Sequence, residues 1–256
     1  MIKLGAQYFT IRDYCQTIED FEVSCKKVSE IGYKYIQLSG IGDFSADEIK
    51  PIIDKYGLKV VCTHRPPKNY LENLENEIKF HKTLDCKICG VGSMPYFYEM
   101  EERTDAIKEF VKNFKPVVQR LKEEGLVFAY HNHAIEFEKI NGKHTFDTLV
   151  EKMASDNFKF ILDVYWLAFA GIDPAKFILK NKNDIACVHF KDLKVVENTA
   201  KYAEVGVGNL EWEEIISACK EADVEFALVE QDDFWNNNDP FESLSMSYDF
   251  LKKRGL

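Results

Sequence analysis

Short apolar or β-branched runs alternate along the whole chain with longer stretches of helical period. The runs predict strands at Ile2–Gln7, Tyr35–Ser39, Lys59–His64, Lys87–Gly90, Val127–His133, Phe158–Asp163, Ile185–Lys191 and Phe226–Glu230. The spacing between and after them predicts helices near 17–31, 45–56, 70–84, 101–124, 145–154, 173–181, 210–221 and 241–254. Helix starts carry capping chemistry: Ser45 and Asp239 each stand three residues before a Glu, and Pro174 and Pro240 occupy first helical positions, where a missing N–H costs nothing. Gly32, Gly57 and Gly125 follow helical stretches and suit left-handed C-caps. Pro116 is placed to kink or split the fourth helix. No composition break or linker divides the chain, so residues 1–256 are expected to form one domain. Eight alternating units in about 250 residues fit an α/β fold of the single (β/α)8 TIM-barrel type. A doubly wound open sheet is the alternative. It would need fewer strands and usually a glycine-rich first turn, whereas this one reads Gln7-Tyr8-Phe9-Thr10-Ile11-Arg12.

Composition narrows the partners more than the fold. The 33 basic and 43 acidic residues leave a net charge of −10, which argues against a broad nucleic-acid surface or an anionic membrane. No apolar run approaches membrane-spanning length, and the start MIKLGAQYF lacks the apolar core and cleavage site of a signal peptide. The seven cysteines are odd in number and several lie in apolar segments, which suits a reducing cytoplasm better than a disulfide framework.

In a barrel of this kind the residues that end strands line the functional mouth. The fifth strand ends in Tyr130-His131-Asn132-His133, the sixth in Leu162-Asp163, the seventh in His189-Phe190-Lys191-Asp192 and the eighth in Val229-Glu230-Gln231-Asp232. Neighbouring strands lie about 4.8 Å apart, so side chains from four of them can meet at one point. Carboxylate oxygen and imidazole nitrogen on rigid elements are what a divalent cation requires. Any one of these residues alone is more often a loop or capping group; four on successive strands shift the balance to a metal site. Asp163, His189 and Glu230 are its strongest members. His131, His133 and Glu136 are alternatives for the fourth ligand, with His131 favoured and the other two as substrate contacts or supports.

At these residues the chain resembles the sugar phosphate isomerase/epimerase superfamily, the xylose isomerase-like TIM barrels. The matching pieces are GAQYFTIRD, YHNHAIEFE, LDVYWLAFAGIDP, HFKD, GVGNLEW and LVEQDD, spread over essentially the whole chain. The run YHNHxxEF together with DxxWxxxxGxDP marks one branch. The resemblance implies a divalent ion, manganese first, with magnesium, cobalt or zinc as alternatives. It would be held by His131, Asp163, His189 and Glu230. His131 departs from the pattern, since many relatives carry Glu there. In relatives that interconvert ketoses, two metal-bound glutamates exchange the substrate proton from opposite faces. Only Glu230 of that pair remains, so Glu136 or another group must supply a second base if the chain works that way. Trp166 also replaces a substrate-binding His of some ketose epimerases.

The expected activity is isomerisation, epimerisation or dehydration of a sugar or polyol derivative by proton removal next to a carbonyl. Glu230 is the expected base, Lys191 the group for developing negative charge, and His133 or Glu136 the second acid/base. Arg12 and His64 are candidates for binding substrate across the mouth, against an ordinary surface or capping role. Trp166 and Trp235 are candidates for an apolar wall, against simple packing. Cys86 and Cys89 form one CxxC pair, more plausibly core than zinc-binding. Gly206 and Gly208 would let backbone N–H groups approach a phosphate, or would simply make a tight loop. The expected partner is a small-molecule carbohydrate, with no nucleic acid and no membrane; a homo-oligomer is left open. Two other classes remain: a metal-poor, non-catalytic sugar-binding barrel, and an endonuclease IV-like DNA-repair enzyme, against which net −10 and only six histidines speak.

Overall fold

The computed structural model describes residues 1–97, 99–155, 157–233 and 239–256. Eight strands close into one barrel: β1 (Lys3–Gln7), β2 (Tyr35–Ser39), β3 (Lys59–His64), β4 (Ile88–Val91), β5 (Val127–His131), β6 (Phe158–Asp163), β7 (Ile185–Phe190) and β8 (Phe226–Val229). All pairings are parallel and join neighbours in chain order, with β1 against β8 completing the ring. This is the (β/α)8 barrel expected from the alternation.

Residues two apart on a strand share a face. On the inward faces, Cys62, Ala129, Ile161, Cys187 and Leu228 pack together as an apolar layer. Two positions further along the same chain segments stand His64, His131, Asp163, His189 and Glu230. One step of the pleat therefore turns the bore from apolar floor to polar mouth. The outward faces bury a second, larger core against the helices. There Phe110 stacks on Phe114 at 4.4 Å and meets Phe158 and Tyr130 edge-on.

The helices are α1 (Ile18–Ile31), α2 (Ala46–Lys55), α3 (Pro67–Glu72), α4 (Leu74–Thr83), α5 (Arg103–Glu123), α6 (Thr145–Met153), α7 (Val164–Phe169), α8 (Pro174–Lys180), α9 (Trp212–Glu221) and α10 (Pro240–Lys252). Ser45 and Glu48 form the reciprocal capping box at α2, and Asp173 and Asp239 cap α8 and α10. The expected helix at 70–84 is two helices hinged at Asn73, whose backbone (φ −139°, ψ 43°) leaves the helical region. Pro116 does not break α5. It is exposed, so the carbonyl it leaves unpaired faces water rather than the core. The alternation did not reveal α7, which Asp163 starts by accepting N–H bonds from Tyr165 and Trp166. Two antiparallel hairpins were also unforeseen, at residues 139–144 and 192–203.

Candidate metal centre and barrel mouth

The predicted ends of strands five, seven and eight overran by one or two residues. Lys191 and Glu230 thus stand just beyond their strands, at the start of the loops that form the mouth. His131, Asp163, His189 and Glu230 are all buried, and each offers one donor atom within 4.8 Å of the others. Nitrogen and oxygen ligands stand about 2.0–2.2 Å from a zinc-sized cation, so two ligands of one ion are at most about 4.4 Å apart. The donors' spread lies within a few tenths of an ångström of that outer limit, and their chemistry suits a borderline divalent ion.

Three of the four donors are aimed by partners outside the cluster. The His131 Nδ1–H faces the Gly92 carbonyl at 3.1 Å, which turns Nε2 toward Asp163 Oδ2 at 3.4 Å. Asp163 uses Oδ1 to cap α7, leaving Oδ2 for the cluster, and its backbone N–H donates to Asn132 Oδ1. The His189 Nε2–H donates to Gln37 Oε1 at 2.7 Å, so Nδ1 looks at Glu230 Oε2, 2.9 Å away. Such outer contacts set which nitrogen is free and where it points.

Lys191 is the counter-charge. Its buried Nζ lies 2.6 Å from Asp232 Oδ2, 3.4 Å from Glu230 Oε2 and 3.5 Å from Asp163 Oδ2. The rings of Tyr202, Trp166 and Tyr165 surround it, with centroids 5.1–5.6 Å away. Burial opposes its charge, but Glu230, Asp163 and Asp232 outweigh it and hold the proton on the ammonium. The same balance runs the other way for the acids. Burial would raise the Glu230 carboxyl, yet Lys191 and His189 bring it well below its ordinary value; burial opposes the charge of Asp163 too, and Lys191 with His131 lowers it. Two carboxylates thus stay ionised without solvent.

A cavity of about 330 Å³ opens over this cluster, lined by His64, His133, Lys191, Glu230 and Asp232 among others. The His133 ring meets the rings of His131 and Trp166 at 4.8 and 5.2 Å. Burial pushes its pKa down to about 3, and burial likewise takes His64 well below the ordinary range, so both are neutral imidazoles at pH 7. Glu136 is not among the four donors. Its Oε1 accepts the Tyr130 hydroxyl at 2.5 Å and its Oε2 the His133 backbone N–H at 2.7 Å. Arg12 lies on the rim, where its guanidinium donates to the carbonyls of Phe9 and Asp232 and stacks on Phe9. Trp166 forms a wall beside Lys191, while Trp235 lies outside the described residues. Cys86 and Cys89 are buried free thiols. The N–H groups of Gly206 and Gly208 both donate to Asp192 Oδ2, which also accepts the Trp212 indole N–H. A Cβ at Gly208 would come within 2.2 Å of that carboxylate. The tight-loop reading of these glycines is therefore the one realised.

Sequence reasoning missed Gln37, Asn132, Asp232 and Tyr202. Gln37 had a signal, being a lone amide inside an apolar strand. Tyr202 had none, because it arrives on an unforeseen hairpin.

The fold is a closed parallel barrel, and at the carboxyl ends of its strands a buried His/Asp/His/Glu set stands that could hold a metal ion. The chain belongs to the xylose isomerase-like TIM barrel family, whose model matches residues 25–253. A search of curated proteins finds no significant match. Among solved structures it is similar to a sugar phosphate isomerase/epimerase from Parabacteroides distasonis (TM-score 0.81, 20% identity, 98% of this chain and 93% of that one). A second one from the same organism has TM-score 0.80 at 21% identity over 99% and 98% of the two chains. An L-ribulose 3-epimerase has TM-score 0.76 at 15% identity, covering 99% of this chain and 94% of that one. These identities establish a shared fold. No helix among the described residues is long and apolar enough to cross a membrane.

Proposed function

We propose that this chain is a divalent-metal-dependent isomerase, epimerase or related lyase that acts on a sugar or polyol derivative by removing a proton next to a carbonyl. The observation that carries the reading is the convergence of four donors from four successive strands beneath an open cavity. The sugar isomerase and epimerase names of the similar structures support it. His131 Nε2, Asp163 Oδ2, His189 Nδ1 and Glu230 Oε2 would hold the ion, with manganese the first candidate and magnesium, cobalt or zinc behind it. When bound, such an ion polarises a substrate carbonyl and its neighbouring hydroxyl.

Glu230 is the proposed base. It is ionised while buried, so its carboxylate reacts without a water shell to shed. Lys191 donates a hydrogen bond to the oxygen on which negative charge grows; its aromatic surround keeps water from screening that charge. His133, which lines the same cavity as Glu230, is the proposed second acid/base; as a neutral imidazole it accepts a proton before it can return one. Glu136, occupied by Tyr130 and the His133 backbone, orients that histidine rather than taking the proton itself. Which face or carbon His133 reprotonates would decide between isomer and epimer. His64, Arg12 and Trp166 contact the remainder of the substrate. The seven buried free thiols fit a reducing cytoplasm.

The test is a screen of metal-supplemented protein against keto-sugars, inososes and sugar phosphates, read by NMR for solvent deuterium entering a carbon–hydrogen bond. Uptake in at least one substrate class is expected, together with about one divalent ion per chain in protein purified without chelator. No uptake and no stoichiometric ion would replace this reading with the non-catalytic one.

A further inference from the structure

A second hollow lies at the same end of the barrel. It measures about 560 Å³ and opens between the loops that follow β2 and β3. Ser39, His64, Gly92 and Ser93 border both this cavity and the one over the four donors. Three of those four side chains are small or missing, so only a low ridge separates the spaces. The inner cavity, about 330 Å³, is already at the lower end of what a whole small ligand occupies. The outer one exceeds the needs of a single sugar ring.

The walls of the outer cavity discriminate between possible extensions of the substrate. Arg65 stands there, but Glu77 accepts from its Nε and Nη2 at 3.0 Å each, Asn69 donates to the same carboxylate, and the guanidinium lies 4.4 Å over the Phe80 ring. That cation is neutralised within the protein. Lys68 and Asp43 are both exposed on the same lining, so the second cation shares the cavity with an opposite charge. Helix α3 starts at Pro66-Pro67, and neither residue has an N–H to offer an anion. A phosphate therefore meets one cation already held by Glu77, a second that shares the lining with Asp43, and a helix start whose first two residues offer no N–H. A neutral polyhydroxylated ring meets the hydroxyls of Ser39 and Ser93, the charged hydrogen-bonding groups of Asp43 and Lys68, and the apolar faces of two prolines.

We propose that the outer cavity is a second subsite, which holds the uncharged second ring of a glycoside while the first ring sits over the His131/Asp163/His189/Glu230 cluster. The proposal rests on the sugar-directed reading above.

Titration calorimetry and saturation-transfer NMR on the full chain in manganese-containing buffer test it, with three probes. D-fructose represents one ring, lactulose and isomaltulose represent neutral two-ring ketoses, and fructose 6-phosphate represents a charged extension. At least one disaccharide should bind about tenfold or more tighter than fructose. The double variant Asp43→Ala/Lys68→Ala, at two exposed positions, should remove that gain and leave fructose binding within about twofold. Equal affinity for one and two rings would overturn the subsite and leave the sugar reading standing. A tenfold preference for fructose 6-phosphate would overturn the neutral assignment, and binding of none of the probes would overturn both readings.

Discussion

The floor and the mouth of the bore are built from the same strands, two residues apart, yet they obey different rules. On the floor, Ile161 and Leu228 interlock with Cys187 and Ala129 in an apolar layer. At the mouth, the next inward positions on β6, and just past the end of β8, are Asp163 and Glu230, as buried as the residues below them. An isolated buried carboxylate costs several kcal/mol. It is tolerated at the mouth because Lys191, the histidines and backbone N–H groups face it. The difference teaches that burial alone does not distinguish core from site. What distinguishes them is whether the neighbours carry compensating charge.

The largest effect is expected from moving mouth chemistry down one pleat. Ile161→Asp places an unpaired carboxylate on the floor and should destabilise the fold by roughly 3–5 kcal/mol, seen as a lowered urea midpoint. Asp163→Asn, two residues away, keeps the α7 cap oxygen and should change stability by no more than about 1 kcal/mol. It should weaken manganese binding by more than about 100-fold, since even supporting residues cost 10–100-fold. A similar loss of stability in both variants would erase the distinction. Glu230→Gln is next: hydrogen–deuterium exchange into substrate should fall by about 10²–10⁴ with the fold intact. Unchanged exchange would remove Glu230 as the base.

The histidines sharpen the contrast, because not every buried one belongs to the mouth. His81 lies outside the barrel, donating from Nδ1 to the Glu77 carbonyl and accepting the Thr63 hydroxyl on Nε2. Burial lowers its pKa from 6.5 to about 4. A depressed pKa means the unfolded chain binds the proton first. Its contribution is complete above about pH 6.5, falls as the pH drops, and is lost by about pH 4, a span of roughly 3 kcal/mol. His81→Gln should flatten that part of the stability–pH curve; an unchanged slope would place its origin elsewhere. The smallest effect should come from Gln37→Leu. It should cost roughly 1–3 kcal/mol of stability, because the buried His189 Nε2–H loses its acceptor. It frees the His189 ring to turn, and manganese affinity should drop by about 10–100-fold in a calorimetric titration.

Much of this was legible along the chain. Strict alternation of runs spelled out eight strands, and period two within each run put Asp163, His189 and Glu230 on inward faces, because the pleat makes side-chain direction a local property. Capping at Ser45, Asp173 and Asp239 was equally local. The ends of β5, β7 and β8 and the hinge at Asn73 were not, since they depend on which backbone groups find a partner across the sheet or in the next helix.

By itself, then, the sequence determined the barrel and the identity of the groups at its mouth, for both follow from short-range pattern and strand order. Only the tertiary structure decided what those groups do to one another. Glu136 and His131 are five residues apart, yet one turns to Tyr130 and the other to Asp163, and the choice depends on which partner the closed ring brings within reach. Lys191 holds Asp232, 41 residues away, and Gln37 holds His189 from 152 residues away. Closing the ring sets distances that no spacing along the chain encodes.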